Sequence, residues 1–304
     1  MKPIEIAGLG FCSLDYLSIL PYIPMDEKVE IIQNLIQGGG PTATAIITAA
    51  RLGANTAFIG CVGDDEKGKT ILQEFEKETV DTKFVQVNVG KKSPSAFCWI
   101  EKSTGKRSIA WTKGTILPLD ATNINYELIA SLKLLHLDGH NTEAAIIAAK
   151  IAKENDVLVS LDAGTNLPGI DELIQLSDIC IAPENFALKY TGENNIQKAA
   201  EKLLETNCIV AAVTSGKDGV FAITSKGSIK QRAFEVEVVD TTGAGDVFHG
   251  AFAYAFIQGW EINKVLEFAS ATAAIKCMQL GGRTGIPSLS EVNEFLAKQK
   301  NYSN

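Results

Sequence analysis

Short apolar runs alternate with segments of helical periodicity along most of the chain. The apolar, β-branched runs predict buried strands, and the amphipathic segments between them predict helices. Strands are expected at 4–9, 56–62, 134–137, 157–161, 179–181 and 209–214, and helices at 42–52, 67–79, 142–154, 196–206 and 246–258. This alternation favours a mainly parallel sheet covered by helices, so the pattern predicts an α/β fold.

Two segments, 15–36 and 93–112, break the alternation because they predict strands joined by turns with no helix between them. In the second segment, the strand-like runs 95–100 and 107–111 flank a turn at 102–106, which is typical of a β-hairpin. We therefore expect a discontinuous β lid made of 15–36 and 93–112. The α/β body would then consist of residues 1–14, 37–92 and 113–304.

Composition narrows the class of protein. The 304 residues include 28 Lys and Arg against 36 Asp and Glu, and the net charge of −8 disfavours nucleic acid as a partner. The sequence contains no apolar run of the ~18 residues that a transmembrane helix needs, so no membrane span is expected. The N-terminus begins in a strand pattern without a signal-like leader. The six cysteines are scattered without a C-x-x-C pair, which favours a reduced, cytoplasmic protein.

The segment DTTGAGD at 240–246 is the most informative polar motif. It follows a β-branched run at 234–239, expected as a strand, and it opens the predicted helix. Small residues let backbone N–H groups approach a ligand at the helix start, where partial positive charge suits an anion. Asp246 would repel a phosphate there unless it takes a proton from a hydroxyl that attacks the phosphate. The alternative is that Asp246 merely caps the helix.

This motif resembles the C-terminal signature of the PfkB, or ribokinase-like, carbohydrate kinases, and other segments follow the family's order along nearly the whole chain. They are Asp15 after the first strand, the glycine turn 38–40, IGCVGDD at 59–65 and TSGKDG at 214–219. The resemblance implies a three-layer α/β/α body with a mainly parallel sheet and a small β lid. It also implies ATP-dependent phosphorylation of a primary hydroxyl of a small sugar.

The resemblance further implies which residues act on the phosphates. Asp246 would be the base, and the transferring γ-phosphoryl group would be stabilised by the backbone N–H groups of Gly243, Ala244 and Gly245. Mg²⁺ would be held mainly by phosphates and water, and a monovalent cation, K⁺, would lie near Asp240 and Thr242. ATP would contact the helix around 264–280 and Thr214, Gly216, Gly219 and, through water and Mg²⁺, Glu184.

The sugar site departs from the family. Asp15 stands where relatives bind sugar hydroxyls with a carboxylate, but the glycine-rich start of the first helix, with Gly39 and Gly40, lacks the Asn that relatives often have. Either Thr42 or the backbone must serve instead. The lid looks closest to ketohexokinase-like and sulfofructose-kinase-like members, which favours a ketose or an acidic ketose derivative. Arg107 would then meet an anionic group or simply lie on the lid surface.

The lid also predicts a homodimer. The hairpin alternates apolar and polar residues, and the segment 29–36 has apolar residues on both faces. One lid face can cover the sugar pocket, while the other would remain exposed, and small sheets with apolar faces tend to find partners. Related kinases often pair their lids, so the expected partner is a second copy of the chain.

The segment GDDEKGKT at 63–70 matches the P-loop pattern and has the required context between a strand and a helix. Three consecutive carboxylates, Asp64, Asp65 and Glu66, argue against it because they would repel phosphates in a partly buried loop. We interpret the segment as an ordinary turn, with Lys69 on a solvated helix face.

Three further signals are weak. The GLG at 8–10 has Ser13 where a dinucleotide fingerprint needs its third glycine. His136 and His140 are four apart but share no helical face and lack a third metal ligand. His249 could reach back toward Asp246 or merely pack within its helix.

The leading hypothesis is therefore an ATP-dependent sugar kinase. A nucleoside kinase of the same fold would use the same chemistry at Asp246. Rivals from other classes are a P-loop NTPase that uses 63–70 and a non-catalytic sugar-binding regulator.

Overall fold

The computed structural model describes residues 2–206 and 208–302, and the described chain forms thirteen strands and ten α-helices. The strands are β1 (Ile6–Leu9), β2 (Ser13–Leu20), β3 (Gln33–Gly39), β4 (Thr56–Gly63), β5 (Val85–Asn88), β6 (Ser95–Glu101), β7 (Arg107–Thr112), β8 (Leu134–Leu137), β9 (Leu158–Asp162), β10 (Ile179–Pro183), β11 (Val210–Thr214), β12 (Val220–Thr224) and β13 (Gly227–Gln231). The helices are α1 (Pro41–Arg51), α2 (Glu66–Lys77), α3 (Tyr126–Ser131), α4 (Thr142–Glu154), α5 (Ile170–Leu176), α6 (Glu184–Thr191), α7 (Ile196–Leu204), α8 (Ala244–Ile257), α9 (Ile262–Cys277) and α10 (Leu289–Tyr302). Each strand and helix expected from the alternation of apolar runs and helical segments is present, with ends within two residues of the prediction.

The central sheet has nine strands in the order β13-β12-β11-β10-β9-β8-β1-β4-β5. Neighbouring strands pair in parallel except for β12, which is antiparallel to both β11 and β13. One hydrophobic core lies between the sheet and the layer containing α1, α8 and α9, and a second lies under α4, α5 and α7 on the opposite face. The predicted three-layer α/β/α body is therefore confirmed.

A separate four-stranded sheet, the lid, has the order β3-β2-β6-β7. The predicted hairpin is its β6–β7 pair, and β2 joins β6 in parallel. Leu17, Cys98 and Ile100 on the inner face pack against Leu280 of the body. Although β2 begins at Ser13 and β3 continues to Gly39, the proposed domain limits themselves remain a prediction, and residues 303 and 304 of the expected body lie outside the described part of the chain.

One strand expectation is wrong. The run 234–239 is extended but belongs to no strand. Its Phe234 ring packs edge-on against Phe295 of α10, and the Val239 N–H donates to the Cys277 carbonyl at the end of α9. The run thus contacts α10 through Phe234 and α9 through its backbone, while the side chains of Val238 and Val239 stay exposed.

All six cysteines are buried and free, as expected for small core residues in a chain without disulfides. None of the helices in residues 2–206 and 208–302 is long and apolar enough to cross a membrane.

Candidate active site

Asp246 lies in the first turn of α8, near Asp162 and Asp138 at the carboxyl ends of β9 and β8. Gly243, and not Asp246, occupies the N-cap position of α8, with a φ of 74° and no side-chain capping bond. A side chain at Gly243 would meet the Gly282 backbone at 2.9 Å, so both conformation and space require glycine. The interpretation of Asp246 as a helix cap is therefore wrong, because its carboxylate is three residues inside the helix.

The surroundings of Asp246 raise its pKa from 3.8 to about 7. Burial is the main cause, and the carboxylates of Asp162 and Asp138 add to it, while His249 and Arg283 oppose the shift. A carboxyl group with a pKa near neutrality is a suitable acceptor for a hydroxyl proton, since general bases work best when their pKa is near the working pH.

His249 lies one turn further along α8 and is directed at Asp162, the last residue of β9. The His249 Nε2 is 3.4 Å from the Asp162 Oδ1, and the His249 Nδ1 has no partner among the described residues. Burial alone would lower the pKa of His249, but the Asp162 carboxylate raises it above its usual 6.5. The imidazole thus favours the charged form and acts on Asp246 through its field.

The turn that precedes α8 is held by Asp240. The Asp240 Oδ1 accepts hydrogen bonds from the Thr242 N–H at 2.9 Å and the Thr242 hydroxyl at 2.8 Å. The Asp240 Oδ2 accepts from the Gly281 N–H at 2.9 Å, and its carbonyl oxygen accepts from the Lys276 ammonium at 2.8 Å. Every oxygen of Asp240 therefore accepts a hydrogen bond within the protein, although the family resemblance implied a cation site at Asp240 and Thr242.

A cavity of about 900 Å³ opens beside the start of α8. Three of the four expected ATP contacts, Thr214, Gly216 and Gly219, line it. Residues of α9 also line it, together with Ala244 and Gly245 of the segment 240–245, which is called the anion turn below. Glu184, the fourth, lines a neighbouring cavity of about 210 Å³ with Ser215, Asp218 and Lys230. The structure thus brings the expected nucleotide residues to one side of the anion turn.

Asp15 lies in β2 on the inner face of the lid and does not line this cavity. Burial raises the pKa of the Asp15 carboxyl, which accepts a hydrogen bond from the Ser13 hydroxyl at 2.7 Å. A Cβ at Gly39 would be 2.0 Å from the Asp15 Oδ2. Gly39 therefore serves to make room for the carboxylate, while its carbonyl accepts from Arg283 at 2.8 Å. Gly40 makes a close turn over the Phe11 backbone with a φ of 97°.

An aromatic wall extends the expected sugar pocket beside Asp15. The Phe11 ring stacks on His140 with 5.0 Å between ring centroids, and it meets Trp111 of β7 edge-on at 6.4 Å. Trp111 keeps 65% of its surface exposed. Such rings offer apolar faces to the C–H groups of a sugar, so the wall suits a carbohydrate.

Arg107 extends from the lid to the anion turn. Its Nη1 donates to the hydroxyl oxygens of Thr241 at 3.2 Å and Thr242 at 3.4 Å. Arg107 is therefore placed where it can meet either a phosphate or an acidic group on the acceptor.

Sequence reasoning missed Asp138, which organises the pocket floor. Asp138 accepts from the N–H groups of Phe11, Thr42 and His140 at 2.9, 3.2 and 3.0 Å. Burial would raise its pKa, but the hydrogen bonds from His140 and the backbone hold it at about 2. The sequence feature that could have identified this role is the position of the Asp directly after the predicted strand 134–137. Thr42 is wholly buried and none of the described residues bonds its hydroxyl, so its predicted sugar contact stays a prediction.

Arg283 and Glu74 were also missed. Buried Arg283 donates to the Glu74 carboxylate at 3.2 Å, and the same carboxylate accepts from the Gly38 N–H at 2.6 Å. This ion pair fixes the glycine turn against α2. No local motif marks it, because its members are about 210 residues apart.

The alternative metal and P-loop sites find no support in the geometry. His140 pairs with Asp138 at 3.3 Å, whereas His136 faces His249, and the described residues contain no cluster of three potential metal ligands among His, Cys, Asp and Glu. In the 63–70 segment, Asp65 caps α2 through the Gly68 N–H and also binds Ser93. Lys69 pairs with Glu66 in solvent at 2.6 Å, as expected for an ordinary turn.

Comparison with known proteins agrees with this geometry. The family described as "pfkB family carbohydrate kinase" matches residues 12–289. The chain is 32% identical to a ribokinase of Haemophilus influenzae over 95% of this chain and 97% of that protein. It is 28% identical to a 5-dehydro-2-deoxygluconokinase of Clostridium botulinum, over 98% and 94%.

Solved structures show the same fold. A provisionally named ribokinase from Agrobacterium tumefaciens superposes with a TM-score of 0.92 at 26% identity, over 99% of both chains. A provisionally named ribokinase II from Escherichia coli, solved with ATP and Mg²⁺, superposes with a TM-score of 0.86 at 22% identity, over 97% of this chain and 99% of that one.

Proposed function

Because the chain belongs to the pfkB family of carbohydrate kinases, we propose that it uses Asp246 to transfer the γ-phosphoryl group of ATP to a primary hydroxyl of a small sugar. The observation that carries the proposal is the position of Asp246. Its carboxyl group, with a pKa raised to about 7, directly follows Ala244 and Gly245 at the edge of the large cavity and interacts electrostatically with Asp138. A general base is needed where the two substrates meet.

The reaction requires positioning and charge neutralisation more than covalent chemistry. ATP occupies the large cavity, with its γ-phosphate at the anion turn, where the N–H groups of Gly243 and Gly245 and the dipole of α8 favour negative charge. The third expected donor, the Ala244 N–H, donates to the Thr241 carbonyl oxygen at 3.2 Å. Asp246 orients the acceptor hydroxyl and takes its proton as the O–P bond forms. Arg107 adds positive charge from the lid side.

The cofactors of this proposal are ATP and Mg²⁺. Mg²⁺ keeps several waters and binds mainly through phosphates, so one carboxylate at the cavity edge is enough, and Glu184 is in the right neighbourhood to act through water. The Escherichia coli neighbour was solved with this pair of ligands. K⁺ has no part in the proposal, because the oxygen atoms of Asp240 already accept hydrogen bonds.

The acceptor is a ketose or an acidic ketose derivative. Asp15 is available for two vicinal hydroxyl groups, and the aromatic wall of Phe11 and Trp111 suits the carbon skeleton. Arg107 can meet a carboxylate, and one relative is named for a keto derivative of gluconic acid. A nucleoside is the second candidate, since the exposed Trp111 could also stack on a base.

Two further expectations belong to this proposal. The chain acts in the cytoplasm, which agrees with six free, buried cysteines. It acts as a homodimer through the outer lid face, where Ile36, Phe97 and Trp99 are exposed and Phe97 stacks on Tyr16 at 4.9 Å. These residues adjoin one another in the register of β3, β2 and β6. A second lid is the partner that matches a twisted apolar sheet face.

An ATP-consumption screen tests the function. Purified protein is incubated with ATP, Mg²⁺ and panels of ketoses, aldoses, sugar acids, sugar phosphates and nucleosides, with Asp246→Asn as the blank. We expect turnover with an acidic or neutral ketose and loss of it in the blank. Turnover with nucleosides alone would replace the sugar by the second candidate. Equal ATP consumption by the blank would remove Asp246 from the mechanism.

A further inference from the structure

Lys276, in the last turn of α9, is wholly buried. Lysine is among the residues least often buried, because removing its charge from water is costly unless a partner compensates. The Lys276 ammonium donates to the carbonyl oxygen of Asp240 at 2.8 Å. This contact lies behind the anion turn, so the buried cation requires an explanation connected with that turn.

The end of α9 holds the start of the anion turn from beneath. The N–H groups of Val239 and Asp240 both donate to the carbonyl oxygen of Cys277, at 2.9 and 3.1 Å. Lys276 therefore belongs to a rigid support rather than to a mobile surface. Burial lowers its pKa below the usual 10.5, while the carboxylates of Asp240 and Asp246 oppose the shift and favour the ammonium form.

The family resemblance implied a monovalent cation in this place, near Asp240 and Thr242. Such an ion needs several free oxygen ligands, but the carboxylate of Asp240 accepts three hydrogen bonds from Thr242 and Gly281. Its carbonyl oxygen accepts from Lys276. The residues present do not fit an exchangeable ion at Asp240, and a positive charge of the chain's own stands there instead.

We propose that the Lys276 ammonium is a built-in substitute for the monovalent cation, so that the enzyme works without K⁺. Lys276 acts as a positioning residue: it touches neither substrate but fixes the Asp240 end of the anion turn and places a unit positive charge behind the N–H groups that receive the phosphoryl group. The inference rests on the proposed kinase function, since it concerns how that function is supported.

The kinetic test compares wild type, Lys276→Met and Lys298→Met in KCl, NaCl and choline chloride at equal ionic strength. Methionine keeps the length of the side chain without its charge, and Lys298 is an exposed lysine of α10, outside the expected substrate sites, that serves as the control. We expect the kcat of wild type and of the control to vary less than about twofold among the salts. We expect Lys276→Met to lose about 10²-fold in kcat, as when one group of an anion site is removed.

A binding test needs no sugar and no turnover. A protein that binds K⁺ in its native state gains thermal stability as K⁺ is added. We expect the Tm of wild type to be the same in KCl and choline chloride. We expect Lys276→Ala, which frees the Asp240 carbonyl and opens space beside it, to gain Tm and kcat when K⁺ or NH₄⁺ is added.

Three results would overturn the inference: a wild-type kcat that requires K⁺, a wild-type Tm that rises in KCl above its value in choline chloride, or a Lys276→Met variant with wild-type kcat in choline chloride. If wild type phosphorylates no acceptor in any salt, the proposed function fails, while the Tm measurements still decide between a fixed ammonium and an exchangeable ion.

Discussion

The Nε2 of His249 lies 3.4 Å from the Oδ1 of Asp162, one helical turn beyond Asp246. The two side chains shift the pKa of Asp246 in opposite directions: Asp162 raises it and His249 lowers it. Burial causes most of the shift, and the pair adjusts the pH at which the base becomes available.

This relationship predicts the pH dependence of the wild-type enzyme. Asp246 has a pKa of about 7 and must be ionised to accept a proton. Activity is therefore present above about pH 7 and falls about tenfold for each unit below it. The measurement is kcat/KM for the acceptor across the pH range with saturating ATP. The pH range in which activity falls on acidification is called the acid limb. If it lies near the ordinary pKa of an aspartate, burial does not act on Asp246 as described.

His249→Gln should move this acid limb to higher pH. The substitution removes a positive charge that lowers the pKa of Asp246, while Asp162 continues to raise it. Below the pKa, each unit of upward shift costs about tenfold in kcat/KM, whereas turnover at high pH should stay within about twofold of wild type. A parallel loss at every pH would assign His249 a purely structural role.

Asp246→Asn should lower kcat by about 10²- to 10⁴-fold, because the amide cannot accept the proton of the attacking hydroxyl. The KM for ATP should change little, since the nucleotide cavity is lined by other residues. Steady-state kinetics with the best acceptor, together with circular dichroism to verify the fold, gives the answer. Turnover near that of wild type would exclude Asp246 as the base.

Asp15→Ala should raise the acceptor KM by about 10²-fold, because hydrogen bonds to a charged group contribute about 1.5–3 kcal/mol each. Ser18→Ala, on the opposite face of β2, is the matched control. Calorimetry with ATP should show unchanged affinity in both variants. Lost ATP affinity with retained sugar affinity would place the two substrates the other way round.

His136 should make the fold sensitive to acid. It is buried with no partner for either ring nitrogen in the described part of the chain, and burial lowers its pKa to about 4. In the unfolded chain His136 binds a proton at its usual pKa of 6.5, whereas in the folded chain it binds one only near pH 4. The free energy of unfolding therefore decreases as the pH falls from about 6.5 to about 4. The expected loss is about 2 kcal/mol between about pH 7.5 and about pH 5.

Urea unfolding of wild type and His136→Leu at the two pH values isolates this effect. The raised pKa of Asp246 makes the fold more stable as the pH falls, which is opposite to the effect of His136. This contribution is present in both proteins and largely cancels in their difference. We expect the variant to lack the acid-dependent loss. An equal pH response in both proteins would show that His136 does not titrate as described.

Ile36→Asp should break the proposed dimer, because it puts a charge on the apolar outer lid face beside Tyr16. Leu117→Asp, an equally exposed apolar residue outside the lid sheet, is the control. Light scattering at micromolar concentration gives the mass. A fully active wild-type monomer would contradict the role of pairing.

The limits of prediction from sequence follow from the range of the interactions. Local periodicity placed β4, α4 and the lid hairpin correctly, and DTTGAGD marked the anion turn, because these features depend on neighbouring residues. The run 234–239 has the pattern of a strand but no strand to pair with, which only the tertiary structure reveals. Arg283, Lys276 and Asp138 were assigned no role from the sequence, because Gly39, Asp240 and Phe11, to which they bond, are distant in sequence.

The packing of Gly39 against Asp15 also bears on how substrate preference can change over generations. A side chain at position 39 would occupy the space of the carboxylate, so Gly39 cannot vary while Asp15 is kept, and this part of the pocket resists drift. Strand β7 is exposed along its whole length, and Ile109 and Trp111 extend from it on the inner side of the lid. Mutations that alter the accepted sugar should therefore accumulate on β7 while the hydroxyl-binding floor is inherited unchanged.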